Sequence, residues 1–91
     1  MIASFRSKAL SQFWEEGNRR GLRPDLVERI KVLLFALHAA ESPEEFDHAR
    51  AGFHSLRGKP QRYALSVNKN WRITFGWDED AAAAVDLEDY H

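Results

Sequence analysis

The spacing of apolar residues changes once along this chain, near residue 53, from a helical period to an alternating one. Before that point, Leu10, Phe13 and Trp14 recur at helical spacing. Ser4 or Ser7 can cap the helix they predict, and Gly17 is placed to end it. Residues 2–5 read as a short first strand, and residues 18–23 as a turn rich in Gly and Arg. Pro24 suits the first position of a second helix, in which Leu26, Val27, Ile30, Leu33, Leu34 and Leu37 form one broad apolar face. Ser42, Pro43 and Glu45 carry a capping-box signature for a short helical turn through Phe46, followed by an irregular stretch to Phe53.

Beyond residue 60 the period is two. Tyr63, Leu65 and Val67 alternate with Arg62, Ala64 and Ser66, while Trp71, Ile73, Phe75 and Trp77 alternate with Arg72, Thr74 and Gly76. Residues 68–70 supply the turn between these two strands, and residues 78–80 supply the next one. Ala83, Val85 and Leu87 give a third strand with the same inward parity. The expected architecture is α+β: an N-terminal strand and two helices packed on one face of an antiparallel sheet. The other sheet face then carries Arg62, Ser66, Arg72 and Thr74, with His54, Arg57 and the C-terminal residues led towards it. Water alone accounts for a polar outer face, but not for this concentration of basic and titratable groups.

Length limits the chain to one domain over residues 1–91, because a linker would leave too little for a second core. Six Phe, three Trp and two Tyr can fill that core. The absence of cysteine excludes disulfides, thiolate metal sites and thiol nucleophiles together. The longest apolar run, residues 32–37, is far short of the roughly 20 residues of a membrane span. Arg6, Lys8 and Glu15 stand where a signal peptide would be apolar. The expectation is therefore a soluble cytoplasmic protein with no membrane partner.

Net charge, −1, argues at first against a nucleic-acid partner, yet its distribution does not. Residues 1–76 hold all 13 Lys and Arg against 8 acids, a surplus of five, and the last fifteen residues hold the other six acids. A basic body is thus joined to an acidic end.

The four histidines differ in promise. His38 lies at the margin of the second helix's apolar face and His48 in the loop before Phe53, and both suit structural or solvated roles. No HExxH or carboxylate-rich metal pattern accompanies them, so neither a metal nor another cofactor is expected. His54 sits in an alternating segment, residues 53–58, that would present it and Arg57 outward. His91 follows Asp89 and Tyr90. Should the meander bring that end beside Arg72, the set becomes two imidazoles, a carboxylate, a phenol and two guanidiniums. That inventory suits metal-free phosphodiester transfer. A base deprotonates a ribose 2′-hydroxyl, cations stabilise charge on phosphorus, and an acid protonates the departing 5′-oxygen. Imidazole fits both proton-transfer roles because its unperturbed pKa, about 6.5, lies near neutrality. An α-carboxylate on His91 would favour its protonated form, and hence the acid role.

Three segments, residues 53–58 (FHSLRG), 66–75 (SVNKNWRITF) and 88–91 (EDYH), closely resemble the HigB-like branch of the RelE toxin superfamily, as does the opening MIASF. Similarity extends over essentially the whole chain, and the joint presence of NWRI and a terminal DYH is what makes it specific. The resemblance implies a RelE-like, microbial RNase-type fold and the toxin of a type II toxin–antitoxin pair. Such toxins enter the ribosomal 30S A site and cut the mRNA codon there without metal. Carried over by motif, His54, Asp89, Tyr90, His91 and Arg72 form the implied catalytic set, with the acid and base assignments of the histidines open and Tyr90 either catalytic or stacking on RNA. Arg57, Arg62 and Lys69 are the implied RNA or phosphate contacts. The implied partners are mRNA, the ribosome, a helix-turn-helix antitoxin of the HigA type, and operator DNA through the antitoxin complex. For the antitoxin's contact surface, the helical side and the Arg19–Arg20 turn are candidates.

Three positions depart from the family pattern. Arg57 replaces a usual Lys, trading a compact ammonium for a planar fork, Ser55 replaces Pro, and Tyr63 stands where Trp is common. A different class of function, a RelE/ParE-fold binding protein without RNase activity, is the competing reading. Retention of all four titratable motif residues favours the nuclease.

Overall fold

The computed structural model of the chain describes residues 1–47 and 52–89. Helix α1 (Lys8–Glu16) begins where the Ser7 hydroxyl accepts the Leu10 N–H at 3.1 Å, so Ser7 is the cap and Ser4 is used elsewhere. It ends at Gly17, whose φ of 71° turns the chain out of the helix at no steric cost. Pro24 opens a 3-10 turn (Pro24–Leu26) that leads into α2 (Val27–Ala39), so the second helix starts three residues later than its proline. The six apolar residues read from its periodicity are all buried. Val32 and Phe35, on its other side, stay 58 % and 55 % exposed.

A second 3-10 turn (Pro43–Phe46) is closed by Glu45, whose carboxylate accepts the backbone N–H groups of Glu41 and Ser42 at 2.6 and 3.0 Å. This delivers Phe46 edge-on to Phe75, with ring centroids 6.2 Å apart.

The strands are β1 (Phe53–Leu56), β2 (Arg62–Ser66), β3 (Trp71–Asp78) and β4 (Ala81–Asp89), an antiparallel meander in chain order. Strand β1 exceeds expectation: it pairs with β2 as a fourth strand where the sequence suggested a connecting segment. Four residues are too few for periodicity to separate strand from loop. Pairing with β2 and the stacking of Phe53 on Tyr63, at 5.7 Å and 17°, decide the matter.

Two further expectations are corrected near β4. Residues 2–5 make isolated parallel bridges, Ile2 with Ala82 and Phe5 with Val85, and are not a regular strand. Ala83 does not share the inward parity of Val85. The register runs Trp77↔Ala82 and Gly76↔Ala83, then jumps to Thr74↔Asp86, so Ala82 packs inward and Ala83 outward. Both differences have one cause, a β-bulge at Ala84, where φ is 48°.

On the inward face, Leu65, Ile73, Phe75, Ala82 and Val85 meet Leu10 and the apolar stripe of α2 in one core. Arg29 of α2 donates to the Ser66 carbonyl at 3.3 Å, which ties the helix to the end of β2. Among the described residues, no helix is long and apolar enough to cross a membrane.

Phe75 is fully buried and touches the rings of Phe46, Tyr63 and Trp77. Phe75→Ala should lower the free energy of unfolding by about 3–5 kcal/mol, while Val32→Ser should change it by no more than about 0.5 kcal/mol. Urea unfolding midpoints of the two variants check this pair of outcomes.

Candidate active face

Alternation along each strand sends the polar residues to the sheet face opposite the helices, and the register arranges them in rows. One row is Leu56, Arg62, Gly76 and Ala83. The next is His54, Ala64, Thr74 and Asp86. The third is Ser66, Arg72 and Glu88. Small residues occupy the middle, and Ala64 and Thr74 are fully buried. His54 is exposed at the β1 side, and Arg72 is half-buried on β3 directly opposite Glu88. The face is therefore a shallow floor flanked by an imidazole, two guanidiniums and two carboxylates.

Arg62 lies across this floor. Its Nη2 donates to Thr74 Oγ1 at 3.1 Å and to the Ala84 carbonyl at 2.9 Å, which joins β2 to β3 and β4. Gly76 opposite it leaves room for that path, with a guanidinium nitrogen 3.7 Å from where a Cβ would stand. The Thr74 hydroxyl in turn donates to the Glu88 carboxylate. Burial pushes the pKa of Arg62 down and neighbouring Arg6 adds to that, against the opposing pull of Glu88 and Asp86. A guanidinium nevertheless stays charged at neutral pH.

Two cations mark the ends of the face. Arg57 follows β1 and is exposed beside the Leu56–Arg62 row. Lys69 is exposed in the β2–β3 turn, at the end nearer Arg72. Asn68 shapes this turn, its side-chain oxygen accepting the N–H groups of Asn70 and Trp71 at 2.8 Å each. Ser66 and Arg62 are four residues apart on β2, so the Arg72 row lies about 13 Å along the strands from the Arg62 row.

The expected site residues are thus partly assembled. His54, Arg62 and Arg72 share the face, with Arg57 and Lys69 at its ends. Asp89 pairs with Trp71, one position beyond the Arg72↔Glu88 pair, so the carboxylate in register with Arg72 is that of Glu88. Tyr90, His91 and His48 lie outside the described residues. His38 is exposed, its ring tilted against Trp14 at 5.4 Å, away from the sheet face. Glu88 and Asp86 are the residues the sequence reading passed over. Their signal was available, since an inward Leu87 sends both its neighbours outward.

Among the described residues, no three His, Asp or Glu side chains are grouped to hold a metal ion. A cavity of about 540 Å³ lies instead on the helical side, lined by Phe13, Trp14, Val27 and Phe35 together with Arg19 and Lys31.

Comparison with known proteins agrees with this architecture. The model of the RelE-like toxin of type II toxin–antitoxin system HigB matches residues 3–91. Endoribonuclease HigB of Proteus vulgaris is 35 % identical over 92 residues, with 100 % of each chain covered. A basic face on an antiparallel meander, a family match over nearly every residue and a full-length relative lead to one assignment: this chain belongs to the HigB-like toxins, RelE-like members of type II toxin–antitoxin systems.

Proposed function

We propose that this toxin is an endoribonuclease that cuts mRNA in the ribosomal A site by metal-independent attack of a ribose 2′-hydroxyl on the adjacent phosphate. One observation carries the reading: strand register sets Arg72 on the same face as exposed His54, one row away and two strands across, at the end where β4 leads into residues 89–91. The activity in the name of the Proteus vulgaris relative supports it.

In this mechanism one imidazole, of His54 or His91, removes the 2′-hydroxyl proton as the oxygen attacks phosphorus. The other delivers a proton to the 5′-oxygen as the P–O5′ bond breaks. Products are a 2′,3′-cyclic phosphate and a 5′-hydroxyl. Arg72 stabilises the additional charge on the phosphorane oxygens, and Asp89 and Tyr90 orient the terminal imidazole and the RNA. Arg57 and Lys69, exposed at opposite ends of the face, take flanking phosphates. The ribosome supplies the substrate positioning that an open, shallow face lacks.

Membership of a toxin–antitoxin family gives the chain an antitoxin partner. We assign this partner to the helix-turn-helix HigA type, in a cytoplasmic complex that binds operator DNA.

Primer extension on an mRNA incubated with purified protein should reveal cuts within translated codons only when ribosomes are present. These cuts should persist in chelator and leave cyclic phosphate ends. Equal cutting of naked RNA would overturn ribosome dependence, and no cutting in either condition would leave a binding protein without RNase activity. His54→Ala and His91→Ala should each lower the single-turnover rate by about 10²–10⁴-fold, the usual contribution of a general acid or base. For His54→Ala the thermal midpoint should stay within the shift of about 0.5 kcal/mol expected at an exposed position. Full activity in either variant would remove that histidine from the mechanism.

A further inference from the structure

We infer that Arg62 is a positioning residue, and not a phosphate ligand: through Thr74 and the Ala84 bulge it holds the end of β4 in register with Arg72. The inference rests on the endoribonuclease reading for its kinetic consequence alone.

The geometry sets a direction along the chain of hydrogen bonds. A guanidinium can only donate, so Arg62 occupies an acceptor position of the Thr74 hydroxyl. Threonine has one hydroxyl proton, and that proton is committed to Glu88. The same Arg62 nitrogen holds the carbonyl of Ala84, which the bulge has turned out of the β3–β4 ladder. Arg62 therefore grips β4 at two places, directly at Ala84 and through Thr74 at Glu88. Between them lies the stretch where the ladder resumes after its register shift, at Thr74↔Asp86, Ile73↔Leu87 and Arg72↔Glu88. Thr74 is fully buried, so its hydroxyl depends on these protein partners. Both N–H groups of Nη2 are spent on these protein acceptors, at 3.1 and 2.9 Å, which fixes the guanidinium against the sheet.

Without the Arg62 links, the Asp86–Asp89 end of β4 loses its lateral hold beside Arg72. Binding contacts at Arg57 and Lys69 are untouched. A positioning role thus lowers the rate of the chemical step and spares affinity.

Two measurements on Arg62→Gln, Arg62→Lys, Thr74→Val and the Arg62→Gln/Thr74→Val double variant test this. In the full-length protein without RNA, amide hydrogen exchange of residues 85–88 should quicken about fivefold to tenfold relative to α2 in Arg62→Gln and Thr74→Val, the factor one hydrogen bond carries, and little further in the double variant. In cleavage assays with ribosomes, kcat should fall in each single variant while KM and its salt dependence stay as in the parent. Lysine keeps the charge but lacks the planar fork, so Arg62→Lys should not restore kcat. Unchanged exchange in β4 would overturn the proposal. So would a rise in KM in Arg62→Gln with a salt slope reduced by about one, repaired by lysine, because that is the signature of a phosphate contact. Should Arg62→Gln not fold, Thr74→Val alone decides through the same two readouts. Should the parent protein cut no RNA, the endoribonuclease reading fails while exchange still decides the role of Arg62.

Discussion

A single residue whose peptide groups have left the β3–β4 ladder sets the geometry of this toxin. Ala84 adopts a left-handed φ of 48°, a conformation that costs an alanine of order 1 kcal/mol or more, and it shifts the register between Thr74 and Gly76. Its polar groups are not abandoned. The N–H donates to Ser4 Oγ at 2.9 Å and the carbonyl accepts from Arg62 at 2.9 Å. An N-terminal serine and a β2 arginine are thus joined across the sheet by one bulged residue. The N-terminal segment bridges β4 on both sides of that residue, at Ala82 and Val85, and for this reason it does not form a continuous strand.

That bulge also separates two requirements which a regular strand could not meet together. Val85 and Leu87 must face the helices to complete the core, while Asp86 and Glu88 must face the basic residues of β2 and β3. Ala82 must also face inward, beneath the N-terminal segment. Ala82 and Val85 are three apart, an odd separation, so strict alternation would place one of them in the wrong layer. The extra residue restores both to the same side. Four consecutive alanines, residues 81–84, fit this role because their small side chains allow the strand to change parity without a clash.

Charge is organised by the same sheet. The overall value of −1 conceals a face where Arg62 and Arg72 stand among His54, Asp86 and Glu88, with Arg57 and Lys69 at the margins. The half-buried Arg62 guanidinium and Glu88 carboxylate are linked at the floor through Thr74, and the exposed cations Arg57 and Lys69 stand at its edges. Membership of the HigB-like toxins fits a domain of this kind, small enough that its single sheet is core wall on one side and carries the candidate site on the other.

Much of this was legible in the residues. Helical spacing fixed α1 and α2, Ser7 and Gly17 marked the ends of α1, the Glu45 capping box was formed as read, and alternation separated the two faces of β2 and β3. These are local properties, set by side-chain period and by backbone groups a few residues apart, and a sequence specifies them directly. The motif residues pointed to the family over nearly the full length. What only the tertiary structure decided is relational: that Ser4 serves Ala84 eighty residues away, that residues 53–56 add a fourth strand, that Glu88 stands opposite Arg72 in the β3–β4 register, and that Arg62 turns across the sheet to Thr74. Each depends on which strands lie side by side and in what register, and the register depends on a bulge with no side-chain signature. Alanine ordinarily avoids a positive φ, so nothing in its identity announces the bend, and only partners distant in sequence make it stable.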